Sequence, residues 1–180
     1  MDNKITHEQA RHIGEAYYGT HVKARYYNGN KIPEGKPFAA DEFTYIDDMG
    51  KDWHKGHLIA KSLGGLNKSW NLLPITQTVN ESDYKEIENT VGKLIDLLPE
   101  ISEFIGDKDA FVQFEVKVTD DQQKYIKVSG YKFPAELTYS IRIGKGEDTP
   151  MSSLGTKRIL NQIGIDVNTP LSGTIRIDKK

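Results

Sequence analysis

Alternating and helically spaced apolar residues divide the chain into strands and helices. Alternation from His21 to Tyr27 predicts a strand, and Asn28-Gly29-Asn30 directly after it is a strong turn signal. Helical spacing predicts a helix from about Asn80 to Leu98, ended by Pro99. The apolar stripe of that helix consists of Tyr84, Ile87, Val91, Leu94, Ile95 and Leu98.

The other segments predict further short elements. We expect a first helix from Thr6, as its cap, to about Tyr18, with Gly19 as its end. We expect strands at 43–46, 56–60 and 137–143, loops at 35–37 and 62–70, and a hairpin formed by 111–119 and 125–131. We also expect residues 151–180 to form a helix, around 157–163, and a short terminal strand. Together these elements predict an α+β fold with a mixed or antiparallel sheet and flanking helices.

Composition narrows the class of protein. The 180 residues suffice for one domain spanning 1–180, and the net charge of −2 argues against a protein that coats nucleic acid non-specifically. An enzyme needs only a local cationic cleft, so the net charge does not exclude an enzyme that acts on nucleic acid. The absence of cysteine excludes thiolate metal sites and cysteine nucleophiles. No apolar run is long enough for a membrane span, and residues 1–20 lack the apolar core of a signal peptide.

Two polar residues share the inward-facing stripe of the predicted long helix. Asn80 lies at its head and Glu88 two turns later, although polar residues normally occupy the opposite face. Upstream, His54-Lys55-Gly56-His57 begins a predicted strand. These types suit phosphodiester hydrolysis: His57 as general base, Asn80 as an oxygen ligand of Mg²⁺, and Lys55 as a cation for the phosphate. Glu88 would hold a metal-bound water.

Each of these residues also has a structural interpretation. His57 alone is more often a packed histidine than a base, and Asn80 alone would serve as a helix cap. Glu88 alone fits a solvated helix edge, and His54 an exposed histidine. Asn71 is expected to be structural, fixing its loop by bonds from its side chain to the backbone.

The segment from His54 to Glu88 resembles the DNA/RNA non-specific endonucleases, whose site is a ββα-metal finger. The family's Asp-Arg-Gly-His is matched by residues 54–57, and its Asn-(Leu/Ile)-x-Pro segment with a second Asn by residues 71–80. The resemblance implies His57 as general base, Asn80 as the sole direct protein ligand of Mg²⁺, with Mn²⁺ as an alternative, and Glu88 near the metal through water. We expect a secreted location, in which case the leader is absent from this chain or another export route is used.

The chain departs from the motif at two positions. His54 replaces the Asp and Lys55 replaces the Arg, so a point charge replaces bidentate phosphate binding. His54 is a candidate substrate contact, and Arg25 or Arg142 is expected to supply a further cation for the substrate.

We therefore expect a Mg²⁺-dependent, sequence-non-specific endonuclease acting on DNA, with RNA as a second candidate substrate. Two alternatives stay open. One is a toxin module of a larger secreted protein with an immunity partner, and the other is a nucleic-acid binding module that has lost turnover.

Overall fold

The computed structural model describes residues 1–13, 16–32, 46–47, 49–119, 121–147 and 149–180. The strands are β1 (Lys4–Ile13), β2 (Ala16–Tyr27), β3 (Trp53–His57), β4 (Leu72–Thr76), β5 (Phe111–Val118), β6 (Tyr125–Val128), β7 (Tyr131–Pro134), β8 (Glu136–Gly144) and β9 (Ser172–Arg176). The helices are α1 (Gln77–Glu81), α2 (Asp83–Asp96), α3 (Leu98–Ile105) and α4 (Ser153–Ile163). The α+β class expected from the sequence is confirmed, and no described helix is long and apolar enough to cross a membrane.

A five-stranded antiparallel sheet in the order β1-β2-β5-β8-β9 forms the centre of the structure. Because side chains alternate along a strand, the sheet has two different faces. The inner face supplies buried apolar residues to the core, among them Val22, Ala24, Val112, Phe114 and Ile141. The stripe of α2 packs into the same core through Tyr84, Ile87, Val91 and Leu94. The sheet therefore presents its other face away from α2.

A separate antiparallel pair, β3 and β4, leads directly into α1 and α2. In this pair His57 lies opposite Leu72, and Gly56 lies opposite Leu73. A Cβ on Gly56 would come within 2.4 Å of the Ile75 side chain, so that side chain can lie over Gly56 because Gly56 lacks a Cβ. The two strands and the following helices form the ββα arrangement that the motif predicts.

The prediction of a first helix from Thr6 to Tyr18 is wrong. Residues 4–13 form β1, which pairs with β2 from Lys4 opposite Arg25 to Ile13 opposite Ala16. The register shifts around Gln9, and a bulge of this kind hides strand alternation in a sequence. The hydroxyl of Thr6 donates to the carbonyl of Lys23 instead of capping a helix. Pairing with β2 thus outweighs a weak helical preference.

The long helix predicted from Asn80 to Leu98 is divided into three. Asn80 lies within the short helix α1, α2 begins after Ser82, and α3 begins at Leu98. Pro99 lies in the first turn of α3. Backbone N–H groups there have no partner within the helix, so proline removes no helical hydrogen bond. The expectation that Pro99 ends a helix is correct for α2, but the chain turns at once into another helix.

Two strand predictions also need correction. The segments 111–119 and 125–131 do not pair with each other: β5 lies between β2 and β8, while β6 pairs with β7. The strand expected at 56–60 is β3, which ends at His57, because the backbone of Leu58 and Ile59 bonds to Asn71. The loop at 35–37 and strand residues 43–45 lie outside the described residues, and Ile46 is not in a strand.

Other predictions are confirmed. The strand at 21–27 lies within β2, the strand at 137–143 within β8, and the terminal helix and strand are α4 and β9. The Asn28–Asn30 turn is closed by a hydrogen bond of 3.3 Å from the Asn30 amide to the Tyr27 carbonyl.

Candidate active site

A pocket of about 430 Å³ opens between the end of β3, the following loop, and the helices α1 and α2. Three of the residues singled out by the motif line it together, namely His57, Asn80 and Glu88. The other lining residues are Ala60, Lys61, Ser62, Glu81 and Lys85. Separate elements of the chain thus bring a histidine, an amide, carboxylates and two lysines to one cavity.

Asn71 holds the loop that carries the pocket wall. Its side chain is fully buried; the oxygen accepts from the Ile59 amide at 2.9 Å and the nitrogen donates to the carbonyls of Ile59 and Leu66 at 3.0 and 2.9 Å. The backbone carbonyl of Asn71 also accepts from the amide of Leu58. The structural role expected for Asn71 is therefore confirmed.

Gly64 and Gly65 allow the same loop to turn back against the strand end. Gly64 has a φ of 84°, in the left-handed region that favours glycine. A Cβ on Gly65 would lie 1.8 Å from the carbonyl oxygen of Ile59, so the two backbone segments can approach only with glycine there. The loop thereby places Lys61 and Ser62 beside His57.

The His57 side chain is half-buried and held by a partner that the motif does not include. Its Nε2 donates to the side-chain oxygen of Asn67. In the neutral ring this leaves Nδ1 as the nitrogen that can accept a proton. Burial lowers the pKa of His57, and the charge of Lys61 lowers it further, although the bond to Asn67 acts in the opposite direction. The imidazole is therefore neutral at pH 7 and available as a base.

Glu88 is a poorly solvated carboxyl group in the same pocket. Its side chain is only 11% exposed, and Lys85, one helical turn earlier, is 3.8 Å away. Burial raises the pKa of Glu88 to about 7, against a smaller opposing effect of Lys85. Burial raises the pKa values of Tyr26 and Tyr84, and the charge of Glu88 raises them further. Both phenols therefore lie near the carboxylate.

The oxygen donors of Asn80 and Glu88 suit a hard divalent cation. Asn80 is half-buried within α1, and the residue at the cap position of that helix is Thr76, so the interpretation of Asn80 as a helix cap is wrong. Mg²⁺ is bound by few protein oxygens together with water. In the part of the chain that the structure describes, no three His, Asp or Glu side chains gather as a metal cluster. An amide ligand with a nearby carboxylate is the donor set that the pocket offers.

Lys55 and His54 lie on opposite faces of β3. Lys55 is two residues before His57 and therefore shares its face, and it is exposed. His54 points to the other side of the strand and is half-buried. Neither residue lines the pocket itself. Lys55 therefore lies on the same side of β3 as His57, and His54 lies on the other side.

The structure corrects the expected positions of Arg25 and Arg142. Tyr26 points inward and donates to the Leu63 carbonyl at 2.7 Å, so its neighbour Arg25 points to the outer face of the sheet. Arg142 shares that outer face, because Gln113 of β5 pairs with both arginines. They lie on the side of the sheet away from His57, and the cations at the pocket are Lys61 and Lys85.

Sequence reasoning did not assign roles to three residues of the site. Lys61 was visible only as one of several cations near the motif. Lys85 could have been found from its position three residues before Glu88 on the predicted helix. Asn67 carried no signal, because loop geometry and not spacing brings it to His57.

Two antiparallel strands, the connecting loop and the helices bring His57, Asn80 and Glu88 to one pocket in a ββα arrangement. Residues 38–101 match the family model of the DNA/RNA non-specific endonucleases. The match includes β3, β4, α1 and α2 with every residue that lines the pocket, and it confirms the family predicted from the motif. Residues 38–101, which carry the pocket, are therefore similar to the DNA/RNA non-specific endonucleases.

Two further comparisons complete this picture. No curated protein matches the chain. Among solved structures, NucA from Streptococcus agalactiae with magnesium ion bound aligns with a TM-score of 0.48 and 12% identity, covering 99% of this chain and 72% of that one.

Proposed function

We propose that this chain is a metal-dependent, sequence-non-specific endonuclease that hydrolyses the phosphodiester bonds of DNA, with RNA as a second substrate. The observation that carries the proposal is the convergence of His57, Asn80 and Glu88 on one pocket with two lysines. If all three polar residues had only structural roles, the partly buried carboxyl group of Glu88 and the neutral imidazole of His57 would have no chemical function in that pocket.

The donor set supports Mg²⁺, with Mn²⁺ as an alternative, held directly by Asn80 and through water by Glu88. When bound, the cation would act as a Lewis acid on the phosphoryl and leaving oxygens. A nearby cation also favours the ionised form of Glu88, which burial alone disfavours.

The residues of the chain itself account for the proton and for the position of the phosphate. Nδ1 of His57 takes a proton from the attacking water, while Asn67 holds Nε2 and so fixes the tautomer. Lys61 and Lys85 offer positive charge to the scissile phosphate, and Lys55 to a neighbouring one. In-line attack on phosphorus and departure of the 3′-oxygen would leave 5′-phosphate ends.

The test is cleavage of supercoiled plasmid by the purified chain in Mg²⁺, in EDTA, and with His57→Ala. We expect nicked, linear and then fragmented DNA in Mg²⁺ only, and no products from the variant. The matched control is His54→Ala, which removes a histidine from the opposite face of the same strand and should cleave nearly as fast.

Different results would lead to different conclusions. Near-full activity of His57→Ala would overturn the assignment of the base. Binding of the plasmid without cleavage in either Mg²⁺ or Mn²⁺ would identify a nucleic-acid binding module instead of an enzyme. Normal cleavage by Asn80→Ala, with an unchanged metal requirement, would place the metal elsewhere.

A further inference from the structure

The outer face of the five-stranded sheet carries a row of cationic side chains. Lys4 of β1, Arg25 of β2 and Arg142 of β8 lie in register, with Gln113 of β5 between the two arginines. Lys23 and Lys117 lie on the same face as this row. Lys23 is two residues before Arg25 on β2, and Lys117 is four residues after Gln113 on β5. We call these five cations, Lys4, Lys23, Arg25, Lys117 and Arg142, the outer-face patch.

Arg25 is held in place by two contacts within the sheet. Its Nε donates to the side-chain oxygen of Gln113 at 2.8 Å, and its Cζ lies 4.4 Å from the centre of the Phe111 ring. A guanidinium fixed at Nε and over an aromatic ring has its terminal nitrogens available for an anion. Arg25 is therefore oriented before any ligand binds.

Arg142 has an unmet hydrogen-bonding group at the same place. It pairs with Gln113 from the other side, and its Nε is buried without a hydrogen-bond partner among the described residues. A buried donor of this kind is unfavourable unless a partner is supplied. Among the described residues, Nε therefore does not hold Arg142 to the sheet, and its guanidinium adds a further cation to this face.

Two carboxylates among the described residues of this face, Glu115 and Glu136, are paired with cations. Glu115 accepts a hydrogen bond of 2.9 Å from His21, and although burial acts to raise its pKa, that bond and the charges of Lys117, His21 and Lys23 lower it. At the far corner Glu136 lies 4.0 Å from Arg176, which also pairs with Asp178 at 2.9 Å. Among the side chains of this face that the structure describes, the five cations of the outer-face patch outnumber the two carboxylates, on a chain whose net charge is −2.

We propose that the outer-face patch is a second binding site for the phosphate backbone of the nucleic acid, on the opposite side of the sheet from the catalytic pocket. This inference rests on the proposed function. The row from Lys4 to Arg142 crosses three strand spacings, or about 14 Å.

The position of the outer-face patch determines which substrates can use it. A short oligonucleotide in the pocket cannot reach the other side of the sheet. A duplex is stiff over about 150 base pairs, so a short duplex cannot bend around the domain. A long single strand can bind at both sites, and the outer-face patch then retains it between successive cuts.

The test compares binding of single strands of about 6 and about 80 nucleotides in EDTA, where no metal-dependent cleavage competes. The variant is Lys117→Gln with Arg142→Gln. For the long strand we expect affinity to fall about tenfold, and the slope of log affinity against log salt to fall by roughly 1.4, at about 0.7 for each lost phosphate contact. Affinity for the short strand should fall less, because that strand cannot occupy both sites at once, and its cleavage in Mg²⁺ should be unchanged.

Two controls keep the result interpretable. Lys157→Gln with Arg158→Gln removes the same charges from the exposed surface of α4 and should leave long-strand affinity unchanged. Lys4→Gln with Lys117→Gln changes only exposed side chains, and covers the case in which loss of Arg142 disturbs folding. This second variant should also lose affinity for the long strand.

Failure of the inference differs from failure of the proposed function. Equal long-strand affinity and salt slope in the wild type and both outer-face variants, with normal cleavage, would overturn the second site and leave the nuclease intact. An equal loss in the α4 control would also overturn it, because the effect would then come from net charge alone. No cleavage of either strand by the wild type would instead refute the enzyme.

Discussion

His57 donates its Nε2 hydrogen to the side-chain oxygen of Asn67, ten residues further along the chain. This bond decides which nitrogen of the histidine is basic. Since the amide oxygen only accepts, Nε2 keeps its hydrogen and Nδ1 is the nitrogen that can take a proton. If His57 is the general base, as we propose, Asn67 is a positioning residue that acts through it.

Asn67→Ala should lower kcat by roughly 10- to 100-fold with little change in KM, because the substrate contacts stay but the imidazole loses its fixed tautomer. Steady-state cleavage of a short oligonucleotide measures both constants. The companion variant Asn67→Asp keeps an acceptor and adds a negative charge, so it should retain more activity and raise the pKa of His57. A pH profile that is the same in all three proteins would contradict the positioning role.

The acidic limb of the pH–rate profile should lie below pH 6.5. Burial lowers the pKa of His57, so the ring stays neutral, and active as a base, at pH values where an exposed histidine is protonated. A bound divalent cation would act in the same direction. The measurement is kcat/KM for plasmid nicking between pH 5 and 8.

Lys61→Gln should move this limb to higher pH, because the lysine charge disfavours the imidazolium and its removal raises the pKa of His57. Lys51→Gln, which removes an exposed lysine before β3, serves as the control and should leave the limb in place. If the limb of Lys61→Gln stayed in place or moved to lower pH, the electrostatic explanation would be wrong.

Glu88→Gln should stabilise the metal-free protein at pH 8 but not at pH 4. The folded-state pKa of Glu88, about 7, is above its usual value of 4.5. The folded protein therefore binds more protons than the unfolded one between these values, and stability decreases as pH rises through that window. Removing the carboxyl group should therefore add about 2 to 3 kcal/mol at pH 8.

Urea denaturation in EDTA at pH 4, 6 and 8 measures this difference. Glu86→Gln, an exposed position on the same helix, provides the control and should show no such gain. Saturating Mg²⁺ should narrow the difference between Glu88→Gln and the wild type, since a cation favours the ionised carboxylate. A constant difference across the pH range would refute the raised pKa.

The part of the site that could be predicted from the sequence is the part fixed by local spacing. His57, Asn80 and Glu88 belong to one continuous ββα segment, in which motif spacing determines strand, helix and face. The short strands around them follow alternation, as at 21–27 and 137–143. These patterns need no knowledge of distant pairing.

The errors share one physical origin, which is pairing between distant segments. Residues 4–13 form a strand because β2 lies beside them, and Arg25 and Arg142 lie behind the sheet because both pair with Gln113. Similarly, β5 pairs across the sheet and not with its neighbour in sequence. Asn67 reaches His57 through a loop whose shape depends on buried hydrogen bonds from Asn71. None of these contacts leaves a periodic signal.

Asn71→Ala should destabilise the fold by about 2 to 4 kcal/mol, because three backbone groups of Ile59 and Leu66 would lose their buried partner. Activity should fall as well, since the loop that carries Lys61 would no longer be held. Thermal and urea denaturation measure the loss, with Asn89→Ala on the exposed face of α2 as the matched control. A loss within the range of that control would show that the loop is held by other contacts.

Two glycines should respond to alanine in opposite directions. A Cβ on Gly65 would lie 1.8 Å from the Ile59 carbonyl oxygen, and backbone cannot move away cheaply, so Gly65→Ala should cost about 3 kcal/mol or more. A Cβ on Gly92, inside α2, would meet nothing within 4 Å, so Gly92→Ala should stabilise the protein by about 0.5 to 1 kcal/mol. Urea denaturation of both variants measures these two changes in stability.

Because Ile59 is two residues beyond His57, Gly65→Ala should also reduce cleavage at temperatures where it remains folded. Full activity in a folded Gly65→Ala protein would mean that the close approach of loop and strand does not position His57, the proposed base.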